Sequence, residues 1–457
     1  MHVDVSARFA SQCELQPLAE YLPQLFQAFA DSGIDFCVLR NYSTLPESLS
    51  GNDLDILVIP ECWSKALSLV ASIPGTRIVG FSSRSYALHL CIQGIACGEA
   101  VEALELDIMC ALPWKGIAYL DCREILNRRK HLLQHNVPIP VPSPEDEAII
   151  SLMSSYLIGG FVKERYQQKV IETFQRSTEA VRERLATSFG PALAGQVVES
   201  VIQDDRPRLA SLLKPLRREL AKRAIIKAPV HTAAAAIRHY VCEFQARYSR
   251  KHLTTVALMG VDGSGKTRVI AGLQARLNHV AKKLEFRHLR PRLLYGTKGT
   301  QGVVVTDPHA KPPRSGLTSI AKVAAWLAEE WLGQFIGRRQ ITLRVNDRFY
   351  HDLLIDQRRY RYGGPQWLAR LVGFLMPEPN LWLLLDAPVE VVRARKKEVS
   401  EEETARQLDA YRSFIKTRKH YAILDASRPV DTVIDQAHAA IIDTLVWRFG
   451  GRLKVPS

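Results

Sequence analysis

What this sequence lacks narrows its class first. None of its apolar runs approaches the ~20 residues that a membrane-spanning helix needs, so no transmembrane segment is expected. The first residues, MHVDVSARFASQCELQPL, show no basic stretch followed by an apolar core. No secretory leader is therefore expected, and a cytoplasmic protein is. There is no internal repeat and no low-complexity tract. Of eight cysteines, seven lie between Cys13 and Cys122, only Cys242 follows, and none form Cys-x-x-Cys. The irregular spacing without paired histidines argues against a zinc site and for buried, reduced thiols.

What remains is an ordinary globular composition, 47% hydrophobic and 24% charged over 457 residues, enough for two or three domains each burying its own core. The net charge of +14 favours anionic partners: nucleotides, phosphorylated sugars, nucleic acid or an anionic membrane surface. Residues 1–142 alternate helical stretches with short apolar strands at Phe36–Leu39, Leu54–Val58 and Leu104–Ile108, and close on Val137-Pro138-Ile139-Pro140-Val141-Pro142, which must be extended. Residues 143–250 read as a helical region. Ser143-Pro144-Glu145-Asp146-Glu147 has the cap, the first-turn proline and the acids of a helix start. Leu209, Leu212, Leu213, Leu216 and Leu220 follow at helical spacing, with Arg206, Arg208, Lys214, Arg217, Arg218, Lys222 and Arg223 among them. The plain reading is a core stripe with a solvated face; the sharper one is a surface for anionic lipid or nucleic acid. Residues 251–457 alternate strand, loop and helix, the pattern of a parallel sheet flanked by helices.

The strongest motif is Gly260-Val261-Asp262-Gly263-Ser264-Gly265-Lys266-Thr267. It follows the apolar strand Thr254–Met259 and precedes Val269, Ile270, Leu273, Leu277 and Val280 at helical spacing. Glycines let backbone amides turn inward around phosphates, and a helix N-terminus adds partial positive charge. Lys266 is expected to reach the β- and γ-phosphates of ATP, and the Thr267 hydroxyl to ligate Mg²⁺. The absence of Asn-Lys-x-Asp, which reads guanine, disfavours a GTPase switch.

From Asp262 onward the sequence resembles thymidylate kinases and related nucleoside-monophosphate kinases. The strand Ile341–Val345 ends in Asn346-Asp347-Arg348-Phe349-Tyr350, similar to that family's Asp-Arg-aromatic motif. The apolar run Leu381–Leu385 leads into Asp386-Ala387-Pro388 and Val389–Lys397, similar to its strand-to-lid segment, and Ile423-Leu424-Asp425-Ala426 looks like the last strand. The resemblance covers about residues 252–450. It implies that Asp347 holds Mg²⁺ or orients the acceptor, that Arg348 grips an acceptor phosphate, and that Arg393, Arg395 and Lys396 close over the transferring group. Positioning and charge neutralisation of this kind suffice for phosphoryl transfer. The basic, tyrosine-rich stretch His351–Gly364 and the insertion-like Arg290–Pro313 depart from ordinary thymidylate kinases. The arrangement looks more like thymidylate-kinase-like proteins of bacterial surface-polysaccharide clusters.

A second signal lies upstream. In Gly51-Asn52-Asp53-Leu54-Asp55-Ile56, Asp53 and Asp55 project to one face of a strand, and Asp107 is placed to join them from a neighbouring strand. Three converging carboxylates can hold two Mg²⁺ for nucleotidyl transfer, and acids inside apolar strands are costly unless paired or metal-bound. The pattern resembles the nucleotidyltransferase superfamily over about residues 20–240, without the Gly-Ser pair that normally precedes Asp-x-Asp; here the chain reads Val38-Leu39-Arg40-Asn41-Tyr42.

The expected architecture is thus α/β: a C-terminal P-loop kinase domain with a parallel sheet, an N-terminal α+β nucleotidyltransferase-like domain and a helical region between them. The expected activity is transfer of phosphate from ATP, with Mg²⁺, to a small phosphorylated acceptor, a nucleotide or sugar derivative. The alternatives are a bifunctional nucleotidyltransferase-kinase and a non-enzymatic nucleotide-binding switch. Peripheral membrane contact and a homodimer fit this reading; nucleic acid, which has only charge in its favour, is not expected as a partner.

Overall fold

The computed structural model describes residues 3–4, 15–50, 53–97, 103–248, 250–277, 280–289, 312–335, 341–397, 399–451 and 453. The chain divides into two compact units, residues 14–245 with 450–457, and residues 1–13 with 246–449.

In the front unit, Phe36–Val38 (β1), Leu54–Val58 (β2), Arg77–Ser83 (β3), Ala87–Gln93 (β4) and Ala103–Met109 (β5) form a sheet in the order β1-β2-β5-β4-β3. β2 and β5 run parallel with Asp55 opposite Asp107, and the other neighbours are antiparallel. Leu18–Asp31 (α1) and Trp63–Ser72 (α2) supply apolar faces that include Leu22, Leu25, Phe29, Ala66 and Val70. Further helices follow: Pro144–Gly159 (α3), Glu164–Arg176 (α4), Thr178–Phe189 (α5), Pro191–Ile202 (α6), Arg206–Lys227 (α7) and Pro229–Tyr248 (α8). One continuous apolar cluster runs from Cys37, Leu39 and Leu57 through Ile149, Met153 and Phe174 to Leu216 and Leu220. The helical region therefore shares a core with the sheet before it. Leu209, Leu212, Leu216 and Leu220 are buried, while Lys214, Arg218, Lys222 and Arg223 are exposed. The expected cap is present, the Ser143 hydroxyl accepting from Asp146 N at 3.2 Å.

In the rear unit, Leu253–Met259 (β6), Lys283–His288 (β7), Thr342–Asp347 (β8), Leu381–Asp386 (β9) and His420–Asp425 (β10) form a parallel sheet in the order β10-β9-β6-β8-β7. Val3–Asp4 pairs in parallel with the β10 edge. Every residue of β6 is buried, as are the first five of β8 and of β9; burial on both faces explains the unbroken apolar run Leu381–Leu385, while β8 also buries Arg344 and Asn346. The chain leaves β6 for β7 and β8 on one side and later crosses to β9 and β10 on the other. The carboxyl end of β6 is thus where connections diverge, the usual place for a ligand crevice in such sheets. Lys266–Arg276 (α9) follows β6, Asp352–Ile355 (α10) follows β8, and Val389–Arg395 (α11) and Glu401–Ile415 (α12) follow β9. Of the insertion-like Arg290–Pro313, residues 290–311 lie outside the described residues.

Candidate active site and a second carboxylate cluster

The loop after β6 needs its glycines for space and for handedness. Gly260, Gly263 and Gly265 have φ of 145°, 88° and 96°, values that L side chains resist. A Cβ on Gly260 would lie 2.8 Å from the Leu385 carbonyl oxygen, and one on Gly263 would lie 3.0 Å from that of Val392. Lys266 opens α9 and is buried. Its Nζ donates to the carbonyls of Gly260 and Val261, each at 2.7 Å, and stands 4.0 Å from Asp262. Thr267 is exposed in the first turn of the same helix.

Parallel pairing brings the end of β8 beside this loop, with Asp347 opposite Leu258. Asp347 Oδ2 lies 3.1 Å from His288 Nδ1, contributed by β7. Its Oδ1 is buried with no hydrogen-bonding partner among the described residues. Burial alone would raise the Asp347 pKa, but the His288 ring, Lys266 and Arg348 outweigh it and hold the carboxyl below its ordinary range. An ionised oxygen without a donor is the hard-oxygen chemistry that Mg²⁺ requires; Asp347 fits that ion, and Thr267, in the first turn of α9, carries a hydroxyl of the same hard-oxygen type.

Arg348 adopts left-handed backbone, φ 69°, an uncommon state for a non-glycine residue. Its amide donates to the Leu258 carbonyl at 3.0 Å. The guanidinium joins Asp262 of the loop to Asp352 of α10. Arg359 approaches the second Asp262 oxygen. Asp352 is fully buried and accepts from Phe349 N at 2.8 Å and from Tyr411 Oη at 2.6 Å. Beside them sits Tyr360, buried, its hydroxyl unpartnered among the described residues. Burial pushes that phenol upward, with Asp352 adding to the shift and Arg348 and Arg359 opposing it. Lys266, Arg348 and Arg359 thus bring three cations to one loop, balanced by Asp262, Asp347 and Asp352.

The segment after β9 is arranged less uniformly. Lys396 is the cation whose stem borders the loop, its Cβ 3.2 Å from where a Gly263 Cβ would stand. Arg393 Nη1 donates to Val399 O at 3.0 Å, and Arg395 Nη1 to Ala426 O at 2.9 Å. Both are engaged with neighbouring backbone in the structure. Arg412 of α12 places its Nε 3.0–3.1 Å from both oxygens of Asp386. Sequence reasoning did not single out Arg359, Asp352, Tyr360, Tyr411 or His288 individually. The first three lie in the basic, tyrosine-rich stretch, so composition marked the region but not the partners. Tyr411 and His288 arrive through tertiary pairing that no local pattern encodes.

In the front unit, oxygens of Asp53, Asp55 and Asp107 all lie within 4.8 Å of one another. Asp55 and Asp107 are buried. Arg40 Nε donates to Asp55 at 2.6 Å, and His89 Nδ1, opposite Asp107 across β4, lies 2.7 Å from it. Burial raises Asp55 to about 6, with Asp53 and Asp107 adding and Arg40 opposing. Crowded, partly desolvated carboxylates of this kind are what a divalent cation neutralises, and the three acids fit one. In the stretch Val38–Tyr42, Asn41 is left-handed, φ 60°, a conformation asparagine tolerates, and Tyr166 Oη donates to its side chain at 3.0 Å. Lys163 approaches the same acids, its pKa lowered by burial and by Arg40 and Arg165.

No family model matches the chain. A curated relative, probable thymidylate kinase 1 of Saccharolobus solfataricus, is 26% identical over 190 residues, spanning 40% of this chain and 93% of the relative. That likeness supports a thymidylate-kinase-like P-loop kinase fold for this part of the chain. Among solved structures, thymidylate kinase from Candida albicans matches 40% of this chain and 88% of its own at 14% identity and a TM-score of 0.30. Deoxyadenosine kinase from M. mycoides matches 41% of this chain and 97% of its own at 12% identity and a TM-score of 0.28. Among the described residues no helix is long and apolar enough to cross a membrane.

Proposed function

We propose that the rear unit is an ATP-dependent kinase that phosphorylates a small anionic acceptor, a nucleoside monophosphate first among the candidates. The observation that carries this reading is the cation cluster built on Asp262. A loop that only holds a triphosphate needs Lys266 and backbone amides. Arg348 and Arg359, gathered on Asp262 beside that loop, add a second anion-binding position. The likeness to a thymidylate kinase points the same way.

In this mechanism the loop amides and Lys266 hold the β- and γ-phosphates of ATP. Arg348 and Arg359 exchange their contacts with Asp262 for the acceptor's phosphate, each presenting a planar fork suited to two oxygens. An oxygen of that phosphate, already ionised at neutral pH, attacks the γ-phosphorus. The new P–O bond forms as the bond to the bridging oxygen of ADP breaks, and no proton need be removed. Lys266 and Lys396 offset charge on the transferring group. Bound Mg²⁺ would supply further charge neutralisation, held by Asp347 and Thr267.

The test is an acceptor screen with γ-labelled ATP against nucleoside monophosphates, sugar phosphates and lipid-linked glycan precursors. Labelled product that disappears in Lys266→Ala supports the reading. ATP binding without label transfer to any acceptor sinks it in favour of a nucleotide-dependent switch. A sugar-phosphate product would instead support a role in surface-polysaccharide assembly.

A second reading belongs to the front unit, favoured by the three converging carboxylates: metal-dependent nucleotidyl transfer, releasing pyrophosphate from a nucleoside triphosphate. Pyrophosphate formed by the full chain and absent in Asp53→Asn/Asp55→Asn supports it. Release that persists in that variant removes the assignment.

A further inference from the structure

The α7–α8 corner carries a surface that phosphate chemistry does not use. Between Glu219 and Glu243 the sequence contains no acid, but it contains Lys222, Arg223, Lys227 and Arg238, with His231 and His239. The same stretch holds large apolar side chains that point outward. Ile226, Val230, Ile237 and Phe244 are 72%, 82%, 64% and 65% exposed, and Ile225, Tyr240 and Val241 are exposed as well.

The apolar positions of α8 are not scattered. Val230, Ile237, Val241 and Phe244 are separated by seven, four and three residues, so at 100° per residue they form one narrow stripe. The opposite side of the helix is the one that packs. Ala235 O lies 2.5 Å from where a Gly116 Cβ would stand, and Glu243 pairs with Arg84 at 2.8 Å. The single acid of α8 is thereby turned inward and neutralised. The stripe is flanked on one side by His231 and Arg238, and the end of α7 that precedes it carries the exposed Ile225 and Ile226 with Lys222, Arg223 and Lys227 in sequence around them.

We propose that this corner docks on an anionic membrane surface, with α8 lying in the interface plane and its apolar stripe set among the acyl chains. The charge selects the partner: a 23-residue acid-free stretch with four permanent cations, of which Arg223 pairs with Glu219 at 2.7 Å and Lys222, Lys227 and Arg238 are exposed, complements acidic headgroups. The aliphatic stripe selects a bilayer over a nucleic acid, since Ile225, Ile226, Val230 and Ile237 gain from hydrocarbon and gain little from phosphates or base edges. An interfacial helix needs neither the length nor the uniform apolarity of a spanning one.

The full chain is co-sedimented with vesicles of phosphatidylcholine alone and with about 30% phosphatidylglycerol. Binding is expected to the acidic vesicles only. Ile237→Asp/Phe244→Asp and Lys222→Glu/Lys227→Glu are each expected to lower the partition coefficient by about tenfold or more, with label transfer or ATP binding by the rear unit unchanged. On the wild-type chain, amide exchange of residues 222–244 is expected to slow when acidic vesicles are added, a readout independent of how the variants fold. No pelleting, or pelleting equal in the variants, overturns the proposal. So does a concentration-dependent dimer abolished by Ile237→Asp/Phe244→Asp without vesicle binding, which assigns the stripe to a second copy. Retention on DNA or RNA but not on vesicles assigns the corner to nucleic acid.

Discussion

Replacing Tyr360 by phenylalanine separates an acceptor contact from a structural one. The Tyr360 hydroxyl is buried, has no partner among the described residues, and stands among Arg348, Arg359 and Asp352. A buried polar group without a hydrogen bond destabilises a protein by about 1–3 kcal/mol. Its removal in Tyr360→Phe, which keeps the ring against Trp326, should therefore leave stability unchanged or raise it by roughly 1 kcal/mol. If the hydroxyl instead meets the acceptor phosphate, the lost bond is one to a charged group. Such bonds contribute about 1.5–3 kcal/mol, so kcat/KM for the acceptor should fall by about ten- to a hundredfold or somewhat more. The KM for ATP should not move. Steady-state phosphoryl transfer with acceptor and ATP varied separately, beside urea unfolding of the same preparations, reads both quantities. A variant that loses about 2 kcal/mol or more of stability while keeping its acceptor kcat/KM would refute the reasoning, because the hydroxyl would then be a satisfied structural group.

Other outcomes follow from the same geometry. Gly263→Ala puts a methyl 3.0 Å from Val392 O at φ 88°; ATP affinity measured by calorimetry should drop at least about tenfold while the fold survives, as circular dichroism would report. Asp347→Asn should raise the MgCl2 concentration for half-maximal rate several-fold, and an unchanged titration curve would remove Asp347 from the metal site. Ser143→Ala removes a cap of the front unit and should lower its unfolding free energy by about 1 kcal/mol, leaving label transfer by the rear unit intact. Glu285 is held at about 2 against an ordinary 4.5: burial alone would raise it, but Lys283, Arg344 and Arg287 outweigh this. A depressed carboxyl stabilises the fold above its unfolded pKa and loses that contribution as pH falls from about 4.5 toward 2. Glu285→Gln should therefore flatten the acid limb of the stability curve across that window.

The parts of this molecule legible in its sequence are those whose causes are contiguous. The phosphate loop was readable because strand, glycines, lysine and helix start sit within a few turns of one another. The Ser143 cap and the apolar run Leu381–Leu385 of β9 were readable for the same reason. Asp53, Asp55 and Asp107 stood out because ionised groups inside apolar strands need a reason. What escaped was assembled across distance. Arg359 meets Asp262 from 97 positions away, and His89 reaches Asp107 only because β4 runs antiparallel to β5. The left-handed backbone at Asn41 escaped because asparagine reaches that conformation without the glycine that would mark it in the sequence. Residues 143–250 read as a region of their own because helical periodicity reveals a buried face but not the surface that covers it; for the stretch through Leu220 that surface includes the front sheet.

The pairing of Val3–Asp4 with the edge of β10 has a topological consequence. The rear sheet takes its edge strand from before residue 14 and its other strands from after residue 245. Residues 14–245 are thus an insertion within the rear unit rather than a bead strung ahead of it. A single cut near residue 245 would strip that edge and leave the amides and carbonyls of β10 open to pairing with another chain. Separating the two units cleanly calls for excision of residues 14–245 with the flanking ends rejoined, not for truncation.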